Sequence, residues 1–484
     1  MDALYGAHDS ADLYAASHRY VLRDFADLLQ YRNNGYDPDR IANIIRQEQR
    51  RLCNRRRIAR AVRSIDGLLT TNLEQYRGYS TMYREAVTYY RYSSLRDKGI
   101  VRRENEVRQF KKDLKGKYLQ NRDLVAGADP DRIIQPDALV KLFGKLTGIG
   151  SEEAALLQSE VCRFVAVCPE QYIRRGLFAK YLGSFFGAMK FNHQAPEIEY
   201  LQKFRIGSSF GKTYLFDEII DDPAYSAAEK EAYYRNILQI LSSRRGDRPQ
   251  FSQDALMAYT EDALITLRET LSEERWNMAA KAYAVLAEVS VMGAGWAGDR
   301  SLSDENLYVH AALKGAYTRI IPAVLADCKI TGRFVAHCLR SGYLFQLPDD
   351  LRDIPDDLRT GIVTAFTYYP NGVGRLQHHP IDILLTALSR TAYVDYPEMK
   401  DACRLYMTCI FQSLKALQMS NQGGDLCIFF RDMQFPDERI PNELCRGGRE
   451  YCMVTDFETE IARECTTLAL EMKNRQPPCT NDAG

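Results

Sequence analysis

Hydrophobic and polar positions recur with the period of an α-helix along most of the chain. Across Ser226–Leu241, Tyr233, Ile237, Ile240 and Leu241 share one face, while Glu229, Lys230, Glu231 and Arg235 fall elsewhere. Ser226 stands where an N-cap is needed. Equivalent patterns predict helices over 151–168, 170–190, 255–271, 276–292, 304–326, 332–346, 381–389, 399–418 and 456–473. Runs that alternate every second residue and end in hairpin turns are scarce, so the expected fold class is all-α. The stretch 127–136 reads as a linker, and 244–249, 293–303 and 369–380 as loops between helices. Residues 421–450, rich in Gly, Pro and charge, read as an ordered but irregular loop. This divides the chain into an N-terminal helical extension, 1–130, and a main helical domain, 131–484.

Charge changes the picture only locally. Basic and acidic side chains number 64 each, which argues against a protein that coats nucleic acid or anionic lipid. Two segments depart from that balance. Arg46–Arg63 is strongly basic, and Tyr76–Tyr92 interleaves Tyr with Arg, a pattern able to stack and hold single-stranded nucleic acid. Overall neutrality favours the plainer reading, a helical face whose arginines pair with acids elsewhere. Twelve cysteines without a CxxC pair point away from a disulfide framework or a structural zinc site. The N-terminus lacks the basic and then apolar order of a signal peptide, and no apolar run reaches about 18 residues. The expected location is cytoplasmic.

Two acidic clusters carry the candidate chemistry. In Phe216–Pro223, Asp217 and Asp221 are four residues apart and share a helix face. Pro223 favours ending that helix, which leaves the carboxylates at the negative end of the helix dipole and in need of a cation. Lys212 is one candidate for it. The second cluster, Asp349–Asp357, holds five aspartates and Arg352, and follows an apolar helix. Asp349, Asp353 and Asp357 form one column if the helix continues through Pro355. Carboxylates are hard oxygen ligands, so two such clusters point to divalent cations sharing an anion. The spacing does not fit an EF-hand.

The second cluster resembles a family motif. Gly342, Phe345, Gln346, Asp349, Asp350 and Asp353 match GxxFQxxDDxxD, the second aspartate-rich motif of trans-isoprenyl diphosphate synthases, at every fixed position. Asp217, Glu218, Asp221 and Asp222 resemble the first motif, DDxxD, with Glu in its second place. Lys314 is similar to the diphosphate-binding lysine that precedes the second motif. The resemblance covers roughly 135–420. It implies the class I isoprenoid synthase fold, an antiparallel helix bundle around a deep apolar cavity, with the two motifs facing each other across its mouth. It also implies two to three Mg²⁺ ions. Asp217, Asp221, Asp349 and Asp353 would be catalytic ligands, with Asp222, Asp350 and Asp357 as further ligands. Lys314, Arg319, Arg352, Arg359 and Lys212 would bind the substrate diphosphate.

Departures from the family choose among its reactions. The chain has no GGKRxRP segment for isopentenyl diphosphate, and no Arg pair follows the first motif. That favours a terpene synthase, which ionises one prenyl diphosphate and cyclises it. The cyclase pattern (N/D)DxxSxxxE is not intact, however, because Asp349, Asp353 and Asp357 are all Asp. Leu351-Arg352-Asp353-Ile354 and Asp357 are also similar to the second motif of squalene and phytoene synthases. Chain elongation and head-to-head coupling therefore stand as alternatives, and a non-catalytic relative as another. The non-enzyme rival is a helical scaffold that binds RNA or protein through its Arg/Tyr-rich N-terminal region. Expected partners are a prenyl diphosphate and a second copy of the chain, without nucleic acid. The Gly/Pro-containing loop after Asp357 and the irregular 421–450 region with Arg446 and Arg449 are candidates for a lid. His310 and His337 read as satisfied core or surface histidines, and His378 with His379 as a loop pair. Gly207–Thr213 mimics a P-loop but is one residue short.

Overall fold

The computed structural model describes residues 9–35, 37–52, 200–326, 330–369 and 376–395, with parts of 159–181 and single positions between 406 and 474. The basic segment past Leu52, the Tyr/Arg-interleaved 76–92, the 127–136 linker and almost all of 399–484, including Arg446 and Arg449, lie outside the described residues. Among the described residues only helices occur. They are α1 (Ser10–Asn34), α2 (Pro38–Leu52), α3 (Glu170–Arg174), α4 (Tyr200–Thr213), α5 (Leu215–Asp221), α6 (Ala227–Ser242) and α7 (Ala255–Thr270). There follow α8 (Glu273–Ala294), α9 (Asp304–Leu325), α10 (Gly332–Ser341), α11 (Tyr343–Thr360), α12 (Ala365–Tyr368), α13 (Pro380–Arg390) and a π-turn at Thr391–Asp395. They fall into two compact units, neither continuous in sequence. The first comprises 1–52, 219–249 and 272–452; the second comprises 53–218, 250–271 and 453–484.

In the first unit α9 is the central helix. Leu307, Tyr308, Ala311, Ala312, Leu313, Ala316, Tyr317, Ile320 and Ile321 are buried and wrap its whole circumference, the signature of a helix enclosed by others. α1, α8, α10 and α11 pack against it. α6 forms as its sequence dictates. Ser226 and Glu229 close a capping box, and Tyr233, Ile237, Ile240 and Leu241 are its buried face, each worth about 1.5–3 kcal/mol of hydrophobic stabilisation.

The predicted helix 332–346 is assigned as α10 and α11, and the backbone of Gly342 between them is itself helical, φ −54° and ψ −39°. At this junction α9 and Gly342 touch backbone to backbone. A Cβ on Gly315 would lie 3.0 Å from the Gly342 carbonyl carbon, and one on Gly342 would lie 2.7 Å from the Ala312 carbonyl carbon. Past the junction, α11 runs unbroken through Pro348 and Pro355 to Gly361. Gly361 takes φ 78°, a left-handed conformation that stops the helix and turns 362–365 back along it.

α13 begins at an unusual cap. The His379 ring accepts a hydrogen bond from the Ile381 amide at 3.2 Å through Nδ1, so the ring must be neutral at that atom. Burial pushes the His379 pKa down to about 3, against an ordinary 6.5. A depressed His pKa means the stability it supports is complete above about pH 6.5 and is lost as pH falls toward 3. The slope is about 1.4 kcal/mol per pH unit. His379→Asn keeps an acceptor at the cap and removes the titration. Between pH 6.5 and 5 the wild type should therefore lose about 2 kcal/mol more than this variant. Parallel urea titrations at the two pH values check this, and equal losses would refute it.

The second unit pairs α4 with α7. Its buried polar groups include Lys212, whose Nζ lies 2.6 Å from Glu160 and 4.7 Å above the Tyr259 ring. Phe164 stacks on Tyr181 at 4.0 Å. The P-loop mimic lies wholly inside α4. Gly211 faces Tyr181 so closely that a Cβ would stand 3.0 Å from its carbonyl oxygen, and close packing accounts for the small residues.

Candidate functional site

α11 carries the second acidic cluster, and its two sides do different things. Gln346, Asp350 and Asp357 are buried among Leu347, Leu351 and Ile354. Gln346 Nε2 donates to Asp350 Oδ1 at 2.7 Å. Asp356 is exposed, and Asp349 and Asp353 are half-buried at the edge of the buried face. Arg352 bridges Asp349 and Asp353, the latter at 2.9 Å, and Arg359 pairs with Asp356 at 2.8 Å. The expected single column of Asp349, Asp353 and Asp357 is thus divided. At 3.6 residues per turn, a step of eight drifts about 80° around the helix, whereas the step of seven from Asp350 to Asp357 drifts only about 20°.

A pocket of about 40 Å³ opens beside the inward side. α11 contributes Gln346 and Asp350, α9 contributes His310 and Lys314, α5 contributes Asp221, and α8 contributes Ser290 and Gly293. The Ile362–Ala365 loop that Gly361 turns back closes one side. One residue from the first acidic cluster and one from the second thus share a pocket with Lys314. Its volume suits a few ions or waters, far below the roughly 300–1,000 Å³ of an ordinary small-molecule site. The deep apolar cavity that the family resemblance implies is not present in this pocket.

The electrostatics of the cluster are those of acids without enough positive charge. Burial, opposed in part by the Gln346 hydrogen bond and by Lys314, and reinforced by Asp349 and Asp353, pushes the Asp350 carboxyl up to about 7. Burial, then Asp350, Asp353 and Asp221, push Asp357 up to about 9, with Lys314 opposing. A hard divalent cation is the species that would let these groups ionise together, and carboxylate and amide oxygens are its preferred donors. Among the described residues no three His, Cys, Asp or Glu side chains converge closely enough to enclose an ion unaided. The donor set suits Mg²⁺, which takes one or two carboxylates and completes its shell with water and substrate oxygens.

The remaining candidates are dispersed. Asp217, on α5, belongs to the second unit with Lys212, which pairs with Glu160. Asp222 is buried, and its Oδ1 accepts from the Ala224 amide at 2.8 Å, a turn that ends α5 before Pro223. The Arg319 guanidinium stands 3.8 Å over the Phe345 ring. His378 pairs with Asp304 at 2.6 Å at the start of α9, and that carboxylate also accepts from the Gln377 and His378 amides. Sequence reasoning missed His310 and Ser290 as pocket residues, whereas the 362–365 loop belongs to the segment after Asp357 that it named. The one signal for His310 was its place one helical turn before Lys314.

Comparison of the chain with protein-family models, with curated proteins and with solved structures gave no match.

Proposed function

We propose that the protein is a class I terpene synthase, which ionises a linear allylic prenyl diphosphate and cyclises the cation, releasing diphosphate. The observation that carries this reading is the meeting of Asp221, Lys314 and Asp350 at one pocket, in a chain whose 342–353 segment matches the family motif. Mg²⁺ would be held by Asp221, Asp350 and Asp357 and would supply the neutralising charge for the departing diphosphate. Lys314 adds a fixed positive charge within the pocket. Gln346 orients Asp350. Arg352 and Arg359 offset Asp349, Asp353 and Asp356. The pocket has room for the cations alone, so the diphosphate and the isoprenoid tail need space beyond it.

Chain elongation is the second reading, since the same motif pair serves both reactions. A panel of geranyl, farnesyl and geranylgeranyl diphosphates, with and without isopentenyl diphosphate, separates them by product mass spectrometry. Cyclisation predicts Mg²⁺-dependent diphosphate release from one substrate alone. Product that strictly requires isopentenyl diphosphate moves the assignment to elongation. Asp350→Asn should lower diphosphate release about 10²-fold or more while helicity by circular dichroism is unchanged. Wild-type turnover in that variant removes Asp350 from the mechanism. Salt-sensitive RNA binding with no diphosphate release would favour the scaffold reading instead.

A further inference from the structure

We propose that Arg352 stands in for a metal ion at Asp349 and Asp353. These two carboxylates, which the family resemblance implies as ligands, then take no divalent cation while the guanidinium is in place. The proposal rests on the reading above for the cation on the Asp350 side of α11. Arg352 Nε donates to Asp353 Oδ1 at 2.9 Å and its Nη2 to Asp353 Oδ2 at 3.1 Å, so one planar fork takes both carboxylate oxygens. The same Nη2 donates to Asp349 Oδ1. The spacing permits this, because residues three and four apart on a helix are neighbours and Arg352 reaches Asp349 across one turn.

A divalent ion at the same oxygens has to displace these three charge-assisted hydrogen bonds. It also has to lie beside a guanidinium that stays charged, since arginine gives up no proton in a protein. The gain is small in return. Arg352, Asp349 and Asp353 are 43%, 48% and 33% exposed, so water already solvates them, and Mg²⁺ sheds its own water reluctantly. The inward side of α11 differs. Asp350 and Asp357 are buried, and Lys314 on α9 offsets their charge only in part. There a metal ion supplies charge that the chain lacks; at Asp349 and Asp353 the chain supplies its own. The aspartate-rich segment is thus divided by counter-ion, and the chain binds one metal ion fewer than it would without Arg352.

The test titrates the full chain with Mn²⁺ alone, without substrate, and reads the free ion by electron paramagnetic resonance. Asp350→Asn should weaken Mn²⁺ binding by about tenfold or more, whereas Asp353→Asn should leave it within about twofold of wild type. Arg352→Gln should bind one further Mn²⁺ per chain, and the Arg352→Gln, Asp353→Asn double variant should lose that ion again. Exposed ion pairs contribute little to folding, so helicity by circular dichroism should hold in all of them. Arg352→Lys keeps the charge without the fork and should show a weaker version of the same gain, which covers a neutral variant that does not fold. Asp353→Asn binding as poorly as Asp350→Asn overturns the proposal, and so does Arg352→Gln without a further ion. A gain that survives in the double variant also overturns it, because the arginine would then act only through its field. All three results leave the cation at Asp350, and the isoprenoid reading, intact. Absence of Mn²⁺ binding in every form removes both.

Discussion

Gly342→Ala is expected to destabilise the first unit by about 3 kcal/mol, the upper end of what overpacking costs. The magnitude follows from what the new methyl group meets. Its carbon would lie 2.7 Å from the Ala312 carbonyl carbon and 2.9 Å from the Ala312 Cα, both main-chain atoms within α9. A flexible side chain could swing aside; a helix backbone cannot, so α9 and α11 must part. Gly315→Ala should behave alike, because its Cβ would strike the Gly342 carbonyl from the other side. The parting has a functional consequence. Lys314 adjoins Gly315, and Gln346 stands one turn past Gly342, so the same crossing sets the Lys314 position against Asp350. Diphosphate release should therefore fall in both variants even below their melting temperatures. Differential scanning calorimetry with an activity assay decides the matter: a Gly342→Ala protein that melts with the wild type would show that the helices do not approach this closely.

Removing Asp24 should cost about 3–5 kcal/mol, the penalty for stranding a buried cation. Asp24 on α1 is 5% exposed and lies 2.7 Å from Arg390 Nη2, itself 6% exposed at the end of α13. Arg340 approaches the same carboxylate at 3.6 Å, and Asp395 at the π-turn balances both arginines at 3.1 Å. With Asp24→Ala, two guanidinium groups are left to a single carboxylate. Replacing both Asp24 and Arg390 with apolar residues should instead come close to wild-type stability, since the pair's attraction and its desolvation nearly cancel. Urea titrations of the single and double variants form a double-mutant cycle, and additive effects would refute a direct coupling. Together with Arg32–Asp382 and the 2.7 Å hydrogen bond between the Ser17 and Tyr317 hydroxyls, this cluster ties α1 into the first unit.

Local structure was legible in the chain because it depends on near neighbours. The capping box at Ser226, the buried face of α6 and the end of α5 before Pro223 follow from spacing and propensity alone. So does the all-helical class among the described residues, and so does the presence of two aspartate clusters. The close approach at Gly342 was hidden, because a glycine in a helical pattern signals nothing until the backbone that presses on it is known. Which aspartates turn inward was hidden as well. The i, i+4, i+8 column looks continuous on paper, but the side of α11 that is buried depends on where α9 lies, and packing selected Asp350 and Asp357 over Asp349 and Asp353. Lys212, a few residues from the first cluster in sequence, finds Glu160 instead. The chain by itself determined the helices of 226–241, 255–271, 276–292 and 304–326 and which residue types could hold a cation. Tertiary structure alone decided which of them share a pocket, because burial and partner choice depend on residues hundreds of positions apart.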